Sequence, residues 1–282
     1  MTLVNMKEML QDARDRQYGI GSFNIFNAES IEAVAEAAEE LKSPAILAYG
    51  EVMRDSANIE IISGIAKKVA KKATVPIAFH LDHAHSLEYI LKAIRNGFTS
   101  VMIDSSKDTF DINVSNTKRV VEICKPLDIT VEAELGHVGN GHNNTTSNDE
   151  SFKTVPKEVE EFVRLTAVDA LAISIGNAHG LYKKEPKIDH DLLKKINKIS
   201  QIPLVLHGGS GISDDDFRKI VAEGICKINI FTEMSENSIK NLQELLAKGN
   251  YKWILDFCET LKNSVKEVAV KRMLVFGSAG KA

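Results

Sequence analysis

The sequence predicts an α/β protein, a (β/α)8 TIM barrel with one additional helix at its C-terminal end. Eight short apolar runs recur, each separated from the next by a longer segment of helical periodicity, as expected for parallel strands joined by crossover helices. The 282 residues suffice for such a barrel, which needs about 250. Eight strand–helix units in succession favour a closed barrel over an open doubly wound sheet.

The eight runs are Ser22–Ile25, Ala45–Tyr49, Val75–Leu81, Ser100–Ile103, Thr130–Glu134, Ala170–Ile175, Pro203–His207 and Cys226–Ile230. Between them, segments such as Ala28–Lys42 place apolar residues three and four apart with charge on the opposite face. No Pro/Ser-rich linker divides the chain, so residues 1–282 read as a single barrel domain. The rhythm breaks at Gly136–Pro156, which is rich in Gly, Asn, Ser and Thr. A loop of that length is usually functional or disordered, and after the fifth strand it would stand on the face where barrels place their active sites. Thr232–Lys248 reads as the eighth helix. The segment from Tyr251 to Gly277 reads as the additional one, placed to cap a barrel end or to pack on another subunit. The closing GSAGKA is small and polar and is expected to be loose.

Composition narrows the function. With 35 basic and 39 acidic residues interspersed and a formal charge of −4, the chain offers no field for nucleic acid or an anionic membrane. Cys124, Cys226 and Cys258 are far apart and without a CxxC pair, which suggests neither a disulfide framework nor a thiolate metal site. No secretory leader and no span-length apolar stretch is evident, so the expected location is the cytoplasm.

Polar residues gather where the strands end. His80, Asp82, His83 and His85 follow the third run and Asp104 ends the fourth; Glu132 and Glu134 lie on the fifth, His179 follows the sixth and His207 closes the seventh. A barrel brings these ends to one rim. A lone strand-end histidine is ordinarily a hydrogen-bonded structural residue. Three of them, His83, His179 and His207, match a catalytic zinc site, which takes three protein ligands and keeps one position open. Next to them, Gly208, Gly209, Ser210 and Gly211 follow strand seven, and Asn229, Ile230, Phe231 and Thr232 lead from strand eight into a helix. Glycines allow backbone N–H groups close approach to an anion, and a helix N-terminus adds its dipole, so a phosphate site is expected there.

The motifs FHLDHAH (Phe79–His85), VMIDSS (Val101–Ser106), VEAELG (Val131–Gly136), GNAHGLY (Gly176–Tyr182), PLVLHGGSG (Pro203–Gly211) and KINIFTE (Lys227–Glu233) together resemble the class II fructose-bisphosphate and tagatose-bisphosphate aldolases, as do the opening GSFNIFNAE (Gly21–Glu29) and the closing FGSAGKA. The resemblance implies zinc-dependent, reversible retro-aldol cleavage of a phosphorylated ketose to dihydroxyacetone phosphate and an aldehyde. It implies His83, His179 and His207 as zinc ligands, Asp82 as the acid/base, and Asp104 and Glu134 near an alternative or second divalent metal. Asn24, Gly180, Lys183, Gly208, Gly209, Ser210, Asn229, Ile230, Phe231 and Thr232 fall at positions near the substrate or an associated monovalent cation, Na+ or K+. A homodimer or homotetramer is implied as well.

Two departures from the family pattern stand out. His142 occupies the place of the loop glutamate that handles the proton at the enediolate carbon; histidine can do that work, or Asp149 or Glu150 can. Glu51 stands where relatives carry a phosphate-supporting serine, and its charge is expected to repel a phosphate. Arg272 in the terminal helix is a candidate anion contact. Two rival functions are a metal-free aldolase using Lys227 as a Schiff base and a non-catalytic sugar-phosphate-binding barrel that keeps the metal site.

Overall fold

The computed structural model describes residues 3–140, 150–180 and 186–282. Its barrel strands are β1 (Ile20–Asn24), β2 (Ala45–Gly50), β3 (Ile77–Ala84), β4 (Ser100–Ile103), β5 (Thr130–Leu135), β6 (Ala170–Ile173), β7 (Leu204–Leu206) and β8 (Ile225–Ile230). Each pairs in parallel with its neighbours, and β8 returns to β1 with Ile228 opposite Gly21, so the sheet closes on itself. The helices are α1 (Met6–Asp15), α2 (Ala28–Leu41), α3 (Ile59–Lys72), α4 (Leu87–Arg95), α5 (Phe110–Cys124), α6 (Pro156–Thr166), α7 (His190–Ile199), α8 (Asp214–Ala222), α9 (Thr232–Lys248) and α10 (Ile254–Val275). The predicted (β/α)8 barrel and its additional terminal helix are both present. No helix among the described residues is long and apolar enough to cross a membrane.

Strand alternation divides the interior in two. Phe23, Leu47, Phe79, Val101, Val131, Leu171, Leu206 and Ile228 belong to the large apolar core shared with the surrounding helices. Ile20, Ile46, Ala78, Ala172 and Val205 form a second cluster inside the barrel, completed by Met6, Met9 and Leu10 of α1. This N-terminal helix, absent from the sequence-based reading, is therefore the plug of one barrel end. The chain before it pairs Leu3 and Val4 with Ile77 and Ala78 of β3. At the start of α1, the Met6 and Lys7 N–H groups both donate to Thr130 Oγ, at 3.1 and 2.9 Å, so a residue of β5 caps the plug helix.

The C-terminal end differs from expectation. Ser278 is buried and accepts from Ser43 Oγ at 2.8 Å, the Gly280 N–H donates to Leu41 O at 2.9 Å, and the Ala282 N–H donates to Lys42 O at 3.0 Å. Gly277 and Gly280 have φ of 74° and 72°, a backbone that glycine adopts freely, so the glycines of GSAGKA serve its turns and the tail is tied to the end of α2 rather than loose. Along α10, Val265, Val268, Ala269 and Met273 are buried, while Lys262 and Lys266 pair with Glu36 and Glu40 of α2.

Replacing Thr130 by Val removes the acceptor shared by two helix-end N–H groups and should lower stability by about 1–2 kcal/mol. Chemical denaturation checks this; an unchanged midpoint would mean that α1 does not depend on the cap.

Candidate active site

Strand periodicity alone would point His83 away from the barrel lumen. Ala78, His80 and Asp82 share the inward face of β3, while Phe79 and Leu81 belong to the outer core. The register between β3 and β4 shifts between Leu81 and Ala84, and His83 has a left-handed backbone with φ of 49°. This bulge breaks the alternation and sets the consecutive Asp82 and His83 on one cavity, at a conformational cost that is commonly found at functional sites.

His83, Glu134, His179 and His207 each direct a ligand atom to a common point, all within 4.8 Å of one another. Three of these residues carry buried atoms without a hydrogen-bond partner: His83 Nε2, His207 Nδ1 and Glu134 Oε2. Buried polar atoms are seldom left unsatisfied, and three imidazoles with one carboxylate oxygen suit a divalent ion. The opposite edges of two rings are tied down. His83 Nδ1–H donates to Asp104 Oδ2 at 2.9 Å, and Asp104 also accepts from the N–H and hydroxyl of Ser106. His207 Nε2–H donates to Glu132 Oε1 at 2.9 Å. Each carboxylate fixes a tautomer and leaves the other ring nitrogen facing the cluster. Burial works against a charge on His207, yet its contacts with Glu132 and Glu134 push its pKa up to about 9. For His179, burial and the neighbouring His83 and His207 bring it down to about 3, so it is neutral and ready to ligate.

Below the cluster, Glu132 also binds Lys227 Nζ at 2.9 and 3.1 Å, and both residues are fully buried. A second bulge makes this possible. Leu204 pairs with Ile225 but Val205 with Lys227, so Cys226 is the extra residue and both Cys226 and Lys227 face the lumen. Burial resists ionisation of Glu132, but Lys227 and the His207 hydrogen bond outweigh it and hold the carboxyl at about 2. Lys227 does not border the cavity and its ammonium is bound to Glu132, an arrangement unlike that of a Schiff-base lysine.

The cavity is walled by Asn24, Asp82, His83, His179, Gly180, Gly208, Gly209, Ser210, Asn229, Phe231 and Thr232, together with Gly50, Val52 and Met53 from the end of β2. Asp82 is held from both sides: Asn24 Nδ2 donates to Oδ2 and Asn229 Nδ2 to Oδ1, each at 2.9 Å. Burial pushes its pKa upward, but His83, His207 and Lys227 prevail and keep it well below the usual carboxylate range. Asn229 Oδ1 is buried without a partner. Gly208, with φ of 64°, lies so close to Ala178 that a β-carbon would collide with its carbonyl. Asn177 secures the same junction by donating to His207 O at 2.9 Å. The first turn of α9 has no side-chain cap from Phe231, and Ser210 Oγ accepts the Glu233 N–H at 3.3 Å.

Several residues named from the sequence do not wall the cavity. Asp104 is bonded to His83 and stands outside the four-ligand group. Ile230 is in the apolar core and does not wall the cavity. Glu51 does not wall the cavity and accepts the His85 N–H at 2.8 Å. Arg272 is buried against Glu233 and Asp214 and is not available as a direct anion contact. His142, Asp149 and Lys183 lie outside the described residues. Asn177, Val52 and Met53 escaped the sequence reading, and only the Asn of GNAHGLY carried any signal for the first of them.

The family model for class II fructose-bisphosphate aldolase matches residues 4–281. The chain belongs to that family. The aldolase is 41% identical to the fructose-bisphosphate aldolase of Geobacillus stearothermophilus, an alignment covering 100% of this chain and 99% of that one. It is 40% identical to a probable fructose-bisphosphate aldolase of Bacillus subtilis over the whole of both chains. The crystal structure of the YdjI aldolase from Escherichia coli K12 superposes with a TM-score of 0.90 at 37% identity, over 99% of each chain. The protein is thus a carbon–carbon lyase of a metal-dependent family that acts on phosphorylated sugars.

For this aldolase, Glu132→Gln should weaken metal affinity by about 10–100-fold, because the His207 ring loses its charged anchor. Competition with a chelating dye measures it; unchanged affinity would show that Glu132 does not support the ligand.

Proposed function

We propose that the protein is a zinc-dependent aldolase that reversibly cleaves a ketose 1-phosphate to dihydroxyacetone phosphate and an aldehyde, with fructose and tagatose 1,6-bisphosphates among the candidate substrates. The observation that carries this is one cavity bordered by Asp82, by His83 and His179 of the four-residue ligand group, by the glycine-rich loop after β7 and by the start of α9 after β8. His83, His179 and His207 would hold the zinc, with Glu134 beside them. The ion, when bound, supplies Lewis-acid chemistry that draws electron density from the ketose carbonyl as the C3–C4 bond breaks.

Asp82 accepts the proton of the C4 hydroxyl, whose oxygen becomes the aldehyde, and returns it in condensation. The Asn24 and Asn229 amides hold both carboxylate oxygens in place without protonating them. Asn229 therefore fixes the base and lines the cavity where the dihydroxyacetone half would rest. Beside Gly208, the residues Gly209 and Ser210, with Phe231 and Thr232 at the start of α9, offer backbone N–H groups and a helix dipole to the C1 phosphate. We assign the second proton, delivered to C3, to His142. A cytoplasmic homodimer or homotetramer belongs to the same reading, and the exposed Trp253, Ile254 and Leu255 at the start of α10 offer an apolar surface for assembly.

Asp82→Asn should keep its zinc while cleavage falls by about 10²–10⁴-fold. A panel of aldehydes condensed with dihydroxyacetone phosphate identifies the far half of the substrate. Chelation that leaves cleavage intact, or a wild-type protein that neither cleaves nor exchanges a proton of dihydroxyacetone phosphate with solvent, would overturn the proposal.

A further inference from the structure

Arg272 is an unusual residue for a terminal helix: it is almost wholly buried, and the described contacts of its guanidinium are with the first turns of α8 and α9. Nε and Nη2 grip Glu233 of α9 through both carboxylate oxygens, at 2.6 and 2.8 Å. Nη1 donates to Asp214 of α8 at 2.7 Å. The guanidinium plane lies over the Phe217 ring, 4.7 Å from its centroid, and Phe276 packs on the same ring at 5.1 Å.

All three partners connect to the two loops described above. Asp214 is the first residue of α8, directly after the loop that starts at His207. Phe217 supports Gly209, where an added β-carbon would come within 3.2 Å of its ring. Glu233 is in the first turn of α9, and its own N–H is held by Ser210 Oγ. One side chain therefore ties the β7 loop, the start of α8 and the start of α9 into a single unit.

From this geometry we infer that Arg272 is a positioning residue for phosphate recognition, setting the β7 loop and the α9 N-terminus at the spacing that cradles the anion. The inference rests on the phosphate site of the proposed function. The clamp has an electrostatic consequence too. Glu233 and Asp214 place carboxylates at the helix ends where an anion would bind, and Arg272 engages both. Without it, Glu233 would compete with phosphate for the first-turn N–H groups of α9. Lys271 is no substitute, because it is half exposed and stands 3.6 Å from Asp214 and 3.8 Å from Glu233.

The variant Arg272→Lys keeps the charge and loses the planar fork, so it separates position from net charge. The test uses full-length zinc-loaded protein, with inorganic phosphate as the probe in calorimetry and with dihydroxyacetone phosphate in the solvent proton-exchange assay. Phosphate affinity should fall by about tenfold and KM should rise more than kcat falls, with zinc affinity near that of the wild type. A folded variant with unchanged phosphate affinity overturns the inference, as does one in which phosphate and zinc affinities fall in step, the signature of general loosening. If Arg272→Lys fails to fold, Glu233→Gln tests the clamp from its other end, with the same loss expected and an unchanged phosphate affinity again contradicting it. A wild-type protein that binds no phosphate removes the functional reading and this inference together; one that binds phosphate while both variants match it removes this inference alone.

Discussion

Glu132 is the carboxylate around which the barrel interior is organised. It stands in the middle of a closed sheet, fully buried, accepting a hydrogen bond from His207 and ion-paired to Lys227. A carboxylate in that position is tolerable only with charge and hydrogen bonds supplied by the protein. Lys227 provides the charge, and Glu132 in turn commits one nitrogen of His207, so that the other faces the cluster. Removing either partner would leave an uncompensated charge under the site, typically a cost of about 3–5 kcal/mol. The pair is thus a support for chemistry performed one layer above it.

Two bulges do what regular strands cannot. A strand contributes alternate residues to the lumen, so neighbouring inward side chains require an extra residue or a reversed backbone. In β8 the extra residue at Cys226 allows Cys226 to close the apolar layer around α1 while Lys227 reaches Glu132. In β3 the left-handed His83 allows the consecutive Asp82 and His83 both to border the cavity. The chemistry therefore occupies the rim, a buried ionic layer lies beneath it, and an apolar layer plugged by α1 closes the far end.

The same geometry explains what was legible in the sequence. The strands were readable because each is an apolar run buried on both faces, and β4 was bounded at its observed residues, Ser100–Ile103. The three histidines were readable because each ends or follows such a run. The bulges were not, because FHLDHAH alternates in a way that puts His83 on the wrong face until pairing with β4 is known. The role of α1 was hidden for a related reason: its partners Ile20, Ile46, Ala78 and Val205 come from four strands, and only closure of the barrel assembles them. The surroundings of Glu51 and Arg272 were not legible, because formal charge was read without partners such as His85 for the one and Glu233 for the other, which lie far away in sequence.

Within this structure, the terminal helix, the loop after β7 and the imidazole cluster form one connected body, from Arg272 through Glu233 and Ser210 to the cavity bordered by Asp82, His83 and His179. Its centre is the claim that the imidazole cluster holds a divalent ion. Anomalous diffraction at the zinc edge, from crystals grown with zinc, tests that claim most directly. The predicted result is a peak about 2.0–2.1 Å from His83 Nε2 and His207 Nδ1 and within reach of His179. A zinc-bound crystal with no peak between these rings would contradict it.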